Sequence, residues 1–556
     1  MQNSSDVLFR KGIKNFQEKD FLKAEKCFEK LKKNHPTNKD ILKNLSLCYF
    51  HNNKFQKCEQ IIKTMFDNGY KEKKLIEFLL LVLKKQDDAK KILEIISQEK
   101  NNIDEKYQLL EKFERNAIAM DDQEIENYRS NSLKKINEAI HANNIKLNID
   151  NQFLDPPLFY YSYDKNDNLE LSKKLNQLFK NSYTELSQVT KINTQKNKKI
   201  KIGFISEYFI NHTITKLFKG LILNLDTSLF EIRIFYLDNG KGIDKEFYER
   251  EKKGELKNFK LPKLFNEKKN LILNENLDIL FYPDIGLSTQ LYYLTFLRLA
   301  KYQITSWGHP ETTGNPNIDF FLSSKLLETN VNEAQNHYSE KLLLSDYLPM
   351  YYSRPKIEEI DDNELSKNNI YSCPQTLFKL HPDFDDIIFE ILNNDKNAKI
   401  FFIKGKEISF EKKILERFEK KISSKIERIF FLDQMSRTEY INHCGRSSVL
   451  LDPLYFGAGN SFHESMFYGT QTVTMPTQYL RSKIVEGAYR QMKINNPPIA
   501  KNKKQYVALA IEIANTKKEK MLEIKKNYAE QAKKYLFENN EALKDFQKVL
   551  LKIVER

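Results

Sequence analysis

Apolar residues recur at two different spacings along this 556-residue chain. Over the first 70 residues they fall three and four apart, the pattern of helices that bury one face. The pattern also repeats, because Gly12 and Ser46, Phe21 and Phe55, Ala24 and Cys58, and Phe28 and Ile62 are each 34 apart. The small side chains of Ala24 and Cys58 let paired helices approach, and their aromatic and aliphatic partners fill the gap. Pro36 stops the second helix of the first unit. From residue 200 the spacing changes. Short apolar runs at 200–205, 230–236, 277–282 and 302–306 alternate with helical stretches, and a second series follows at 370–373, 399–403, 429–432, 449–452 and 470–475. Continuous apolar runs separated by helices predict parallel sheets covered on both faces.

A period of 34 is that of tetratricopeptide hairpins, and such stacks need about three units. Two units are plain, so 75–98 and the helical stretch 105–145 are expected to complete the stack. The chain then divides into an all-α tetratricopeptide-like region over 1–150 and a helical linker over 151–199. The linker opens on Pro156-Pro157, continues through an aromatic helical segment at 159–179, and closes on a basic connector at 191–199. An α/β Rossmann-like domain is expected over 200–355 and a second, with terminal helices, over 356–556. Two such halves leave a cleft between them.

Composition narrows the function. Apolar content of 40% suits packed cores, and the longest apolar run, 75–83, is interrupted by Glu77 and falls short of the roughly 20 residues of a membrane span. The first 16 residues lack the apolar core of a signal peptide, so the expected location is the cytosol. Cys27, Cys48, Cys58, Cys373 and Cys444 form no Cys-x-x-Cys pair, which disfavours a zinc ribbon or a thioredoxin-like site. The net charge of +14 comes from Lys scattered among Asp and Glu, so nucleic acid is not an expected partner. The first predicted strand runs into Gly203-Phe204-Ile205-Ser206-Glu207 without a Gly-x-Gly-x-x-Gly, and no Walker A loop occurs. Oxidoreductase and NTPase chemistry are disfavoured accordingly.

The segment from Leu450 to Glu464 carries the chemistry. It runs from an apolar strand through Gly457, Ala458 and Gly459 to Asn460 and Ser461 at a helix start. Glycine lets backbone approach a ligand closely, and the free N–H groups of a first helical turn favour an anion. A diphosphate fits, and a nucleotide-sugar is the leading ligand. An ordinary Ser-x-x-Glu capping box, with Ser461 as cap and Glu464 three residues on, is the other reading. Glu464 either caps the helix or holds ribose hydroxyls.

Several ordered motifs resemble the O-GlcNAc transferase family, in particular its bacterial SPINDLY-like branch with short tetratricopeptide regions. They are 206–212 (Ser-Glu-Tyr-Phe-Ile-Asn-His), 282–286 (Tyr-Pro-Asp-Ile-Gly), 307–314 (Trp-Gly-His-Pro-Glu-Thr-Thr-Gly), 319–323 (Asp-Phe-Phe-Leu-Ser), the turn at 457–464, and 473–476 (Val-Thr-Met-Pro) leading to Arg481. The resemblance spans most of the chain. It implies a metal-independent, inverting glycosyltransferase of GT-B fold, its two Rossmann-like domains preceded by the tetratricopeptide-like region. Domain 200–355 would face the acceptor, and domain 356–556 would hold a UDP-sugar. Lys379, in a motif with Gln375, matches the lysine that contacts the donor diphosphate. Met435, Ser436, Arg437 and Tyr440 border the uracil, where Tyr440 either stacks on the base or packs internally. Gly459, Asn460, Ser461 and Glu464 form the diphosphate and ribose site. His309 and Pro310, with Thr312, Thr313 and Gly314, shape the donor side of the cleft. His212 faces the reaction centre as a general base or orienting group, with Asp284 as second candidate, and a donor phosphate oxygen is a third destination for the proton.

The resulting expectation is transfer of a sugar, with N-acetylglucosamine the leading choice, from UDP to Ser or Thr of proteins selected by the helical repeats. No cofactor or metal is expected. Glucose donors, Asn acceptors and glycan acceptors stay open within the class. The alternative of another class is a tetratricopeptide scaffold whose nucleotide-sugar half has lost turnover.

Overall fold

The structure, a computed structural model, describes residues 2–192, 197–238, 240–365 and 369–555. Part of the 191–199 connector lies outside them. The chain forms two compact units, Met1–Ile118 with Gly405–Leu415, and Ala119–Lys404 with Glu416–Arg556.

The first unit is helical. Its helices are α1 Gln2–Gln17, α2 Phe21–Asn34, α3 Lys39–His51, α4 Phe55–Asp67, α5 Lys73–Lys85, α6 Ala89–Gln98 and α7 Lys106–Leu110. The period continues through a third hairpin: α2, α4 and α6 start after Asp20, Lys54 and Asp88, again 34 apart. Each start is preceded by a left-handed residue, Lys19, Asn53 and Asp87, at φ 62°, 57° and 55°. Asp20 and Asp88 cap their helices by accepting from Lys23 N and Lys91 N. The third hairpin escapes sequence comparison because Leu80, Ala89 and Ile92 stand where Gly12 or Ser46, Phe21 or Phe55, and Ala24 or Cys58 stand in the first two. All three are buried, so the packing survives with the bulk redistributed. Residues 405–415 belong here as well. Lys413 Nζ lies 2.9 Å from Asp87 Oδ2, and Ser409 Oγ donates to Lys85 O at 2.9 Å.

The second unit opens with α8 Asp122–Ala142, α9 Leu158–Tyr161 and α10 Leu169–Ser182, so the later part of the 105–145 stretch belongs to this unit and not to the repeats. Two sheets follow. The first holds β1 Ile200–Ser206, β2 Phe230–Tyr236, β3 Leu256–Lys260, β4 Ile279–Tyr282, β5 Tyr302–Ser306, β6 Phe320–Ser324 and β7 Lys341–Ser345, ordered β3-β2-β1-β4-β5-β6-β7. The second holds β8 Ile370–Cys373, β9 Lys399–Ile403, β10 Ile429–Leu432, β11 Val449–Leu451 and β12 Thr472–Val473, ordered β10-β9-β8-β11-β12. Every pair is parallel, with register such as Ile202↔Ile279 and Leu450↔Ser372. Fully apolar strands such as Ile-Leu-Phe-Tyr in β4 are buried on both faces, as parallel sheets require.

Strand order decides where a site can form. β1 lies between β2 and β4, and β8 between β9 and β11, so the order reverses at these strands. In open parallel sheets the crevice outside the carboxyl ends of strands at such a reversal is the usual ligand site. The chain passes between lobes at Tyr352 and returns at Phe537, where the two residues form an isolated parallel bridge. The last helix, Asn540–Val554, then packs on the first lobe: the rings of Phe546 and Phe281 lie 5.8 Å apart, and Gln547 Oε1 accepts from Asp226 N. No helix among the described residues is long and apolar enough to cross a membrane.

Candidate active site

All four loops at the two reversal points carry candidate residues. His212 follows β1, Asp284 follows β4, Gln375 and Lys379 follow β8, and the 457–464 turn follows β11.

On the second lobe, Gly459 precedes the short helix Asn460–Ser465 and has no side-chain cap bond. Ser461 is thus a helical residue and the capping-box arrangement does not form there. Among the described residues the N–H groups of Gly459, Asn460 and Ser461 have no acceptor. Asp452 braces the loop from beneath, accepting from Ala458 N at 2.6 Å and Thr474 Oγ1 at 2.7 Å. A Cβ on Gly457 would come within 2.8 Å of Asp452 Oδ2, so this position needs glycine for close approach. Burial raises the Asp452 carboxyl to about 7.

Lys379 enters the same space from the loop after β8. Its ammonium donates to Gln375 Oε1 and to Gly457 O, each at 3.0 Å, and lies 4.9 Å from the Phe456 ring centre. Gln375 Nε2 in turn donates to Ser461 Oγ at 2.6 Å. Burial pulls the Lys379 ammonium down to about 8, with Asp452 opposing that shift. No carboxylate among the described residues is within ion-pair distance of it. The result is a cation, three open N–H groups and a glycine loop converging on one spot.

Glu464 is buried on the next turn, and its Oε1 accepts from Arg437 Nε at 2.6 Å and Lys216 Nζ at 2.9 Å, with Tyr352 Oη 3.3 Å away. Tyr352 Oη donates its proton to Asn460 Oδ1 at 2.6 Å. Ser436 begins the helix Arg437–Arg446 with a full capping box to Glu439, and Met435 is half-buried beside it. Tyr440 packs against the Ile441, Phe467 and Tyr468 cluster and donates to Pro374 O at 3.2 Å, so its ring and hydroxyl are engaged within the lobe.

On the first lobe, His212 is the N-cap of the helix Thr213–Leu223, here α11. Its Nδ1 accepts from Ile214 N at 3.3 Å, and its ring stacks on Tyr208 at 4.3 Å. That cap uses the Nδ1 lone pair, so a neutral ring carries its proton on Nε2. Asp284 is buried, accepts from Ser206 Oγ at 2.9 Å, and is raised to about 7 by burial and then by the Glu207 charge. His309 is buried against Phe159, with burial lowering its imidazole to about 4, and its Nε2 lacks a partner among the described residues. Gly286, at φ 104°, makes room for that ring, since a Cβ there would lie 2.8 Å from His309 Nδ1. Pro310 is buried beside it, and Glu340 accepts from Thr312 Oγ1 and Thr313 N. Arg481 is fully buried, pairs with Glu311 at 2.9 Å and accepts Gly457 N on its carbonyl.

The residue-level reading of the sequence missed Lys216, Tyr352 and Asp452. Lys216 had a signal, since it lies four residues after His212 and shares a helix face with it. Among the described residues one group, Asp122, His381 and Asp383, has metal-ligand spacing. Its carboxylates already face Lys165, Lys503 and Tyr455.

No protein-family model matches the chain. A UDP-glucose:protein N-beta-glucosyltransferase of Actinobacillus pleuropneumoniae serotype 5b (strain L20) is 23% identical over 270 residues, 47% of this chain and 41% of that enzyme. Its counterpart in serotype 7 (strain AP76) matches to the same extent. The chain thus spans less than half the length of these curated relatives. Among solved structures, a mutant O-GlcNAc transferase of Thermobaculum terrenum superposes with a TM-score of 0.67 and 13% identity, over 99% of each chain. Over its whole length, therefore, the chain has the fold of a bacterial O-GlcNAc transferase: a GT-B pair of Rossmann-like lobes preceded in sequence by helical hairpins.

Proposed function

We propose that this protein is a UDP-sugar-dependent protein glycosyltransferase that acts in the cytosol and inverts the anomeric centre without a metal. The observation that carries the reading is the convergence of Lys379 Nζ, 3.0 Å from Gly457 O, with the open N–H groups that begin helix Asn460–Ser465. Fixed donors aimed where charge develops stabilise a departing diphosphate. A lysine and a helix start supply here the positive charge that a metal supplies in other transferases.

In this proposal Glu464 receives the ribose hydroxyls, and Arg437 adds positive charge beside the nucleotide. His212 orients the acceptor by donating through Nε2, since its cap bond already uses Nδ1. Asp284 takes the proton, its carboxyl poised near 7 by burial. The acceptor is a polypeptide selected by the repeats of the first unit. N-acetylglucosamine transfer to Ser or Thr is the leading form. Glucose transfer to Asn is a second form, favoured by the name of the sequence relatives.

Purified protein incubated with UDP-N-acetylglucosamine or UDP-glucose, in EDTA and with a polypeptide extract, is expected to release UDP from one donor. Mass spectrometry of the extract then gives the sugar and the residue modified. Absence of UDP release from both donors, with or without divalent ions, would leave only the scaffold reading.

A further inference from the structure

Glu464 presents an electrostatic problem if it serves a nucleotide-sugar. A buried carboxylate beside a diphosphate repels it, and burying an unpaired charge is costly. The structure answers with two cations from different lobes. Arg437 comes from the start of a second-lobe helix, whereas Lys216 reaches across from α11 of the first lobe, and Tyr352 joins them from the interlobe crossing. The Lys216 and Glu464 side chains are 25% and 6% exposed, so solvent screens this pair only in part. Arg437, Lys216 and Glu464 together carry one net positive charge. Both cations donate to Oε1, and Oε2 has no hydrogen-bond partner among the described residues. An ionised carboxyl has about four acceptor sites over its two oxygens, so Oε2 remains an acceptor in need of donors.

We propose that Lys216 is a positioning residue for the donor nucleotide: it anchors Glu464 Oε1 from the opposite lobe so that Oε2 faces a vicinal diol, the ribose 2′ and 3′ hydroxyls. This rests on the functional reading above and goes beyond it, because it assigns part of nucleotide binding to the lobe that faces the acceptor. Lys216 lies one turn after His212 on α11. Donor occupancy and the placement of the acceptor-side histidine are therefore linked through a single helix.

The test is calorimetric titration of the full chain with UDP and with 2′,3′-dideoxy-UDP, which keeps base and diphosphate and lacks the diol. The wild type binds UDP more tightly than the dideoxy nucleotide. Lys216→Met weakens UDP about tenfold, roughly 1.4 kcal/mol, leaves dideoxy-UDP affinity within about twofold, and Lys216→Arg restores UDP binding. Lys216→Gln gives the same contrast if the methionine variant does not fold. Equal losses for both nucleotides would instead place the ammonium on the phosphates and overturn the assignment, as would unchanged UDP affinity. A wild type that binds neither nucleotide fails the functional reading itself, an outcome distinct from a wild type that binds both equally, which removes only the role of Glu464 and Lys216.

Discussion

Replacing Lys379 by methionine tests the diphosphate site most directly, because methionine keeps the stem packed on Phe456 and deletes only the charge. The ammonium has two neutral oxygens as protein partners, Gln375 Oε1 and Gly457 O. Desolvation without an ion-pair partner is what lowers it to about 8. An arriving diphosphate is its first anion at hydrogen-bond distance, so the interaction grows as the leaving group gains charge. Removing one such preorganised donor costs about 10²–10³ in kcat, near 3–4 kcal/mol. The pH dependence supplies an independent sign. Binding requires the protonated amine, so kcat/KM of the wild type falls as pH rises through about 8. The kcat limb moves higher, because bound diphosphate restores the ammonium. Stability runs the other way. A lysine lowered from its unfolded value near 10.4 costs the fold below about 8, and that cost fades as pH rises toward the unfolded value. Lys379→Met therefore raises the melting temperature at pH 7 while turnover collapses. Continuous UDP-release kinetics from pH 6 to 10, with thermal melts on the same samples, measure both. Turnover above about one-tenth of wild type, or an alkaline limb that persists in the variant, refutes the assignment.

Three other perturbations follow from buried charges and close contacts. Asp284→Asn removes a carboxyl whose folded pKa is raised to about 7, a group that destabilises the fold progressively as pH climbs from 4 to 7. The variant gains about 2–4 kcal/mol over wild type at pH 8 and little at pH 4 in denaturant titrations, while turnover falls. Retained turnover would assign the proton to a phosphate oxygen. Gly457→Ala puts a Cβ 2.8 Å from Asp452 Oδ2 and displaces the loop, weakening UDP at least about tenfold by calorimetry at a fold cost of about 1–3 kcal/mol. Undiminished affinity would show that the loop does not meet the nucleotide. Asp87→Ala strands Ala117 N, Ile118 N and the Lys413 ammonium, and is expected to cost the first unit about 3–5 kcal/mol. Faster hydrogen exchange in 89–118 is the readout, and protection equal to wild type would contradict it.

How much of this was legible in the sequence depended on the reach of each interaction. Apolar runs marked nine strands because parallel strands are buried on both faces and read without alternation. Of the other three, edge strand β3, Leu-Lys-Asn-Phe-Lys, is polar enough to pass for a connector, β6 lies inside a motif that carries chemistry, and edge strand β7 has only three apolar residues in Lys-Leu-Leu-Leu-Ser. The third helical hairpin was expected from the need to complete the stack, but its 34-residue match was not legible, since Ile92 replaces the small residues that signal the first two. Glycine and helix-start chemistry located the 457–464 turn. The partners of Glu464 were not legible, because Lys216 and Tyr352 lie 248 and 112 positions away and meet it only in the folded chain. His212 was legible as a residue, but its cap bond, which fixes the tautomer, was not.

The strip 405–415 has a consequence for how the protein is made. Helices up to Ile118 leave the ribosome long before the residues that include Lys413, the counter-ion of Asp87. At about 5–20 residues per second, the intervening stretch of roughly 290 residues takes about 15–60 s to synthesise. Through that interval a buried aspartate waits without its cation, and the nascent repeats present an unfinished flank to the cell. Vectorial synthesis thus imposes an order: the repeats are made well before the strip that completes them.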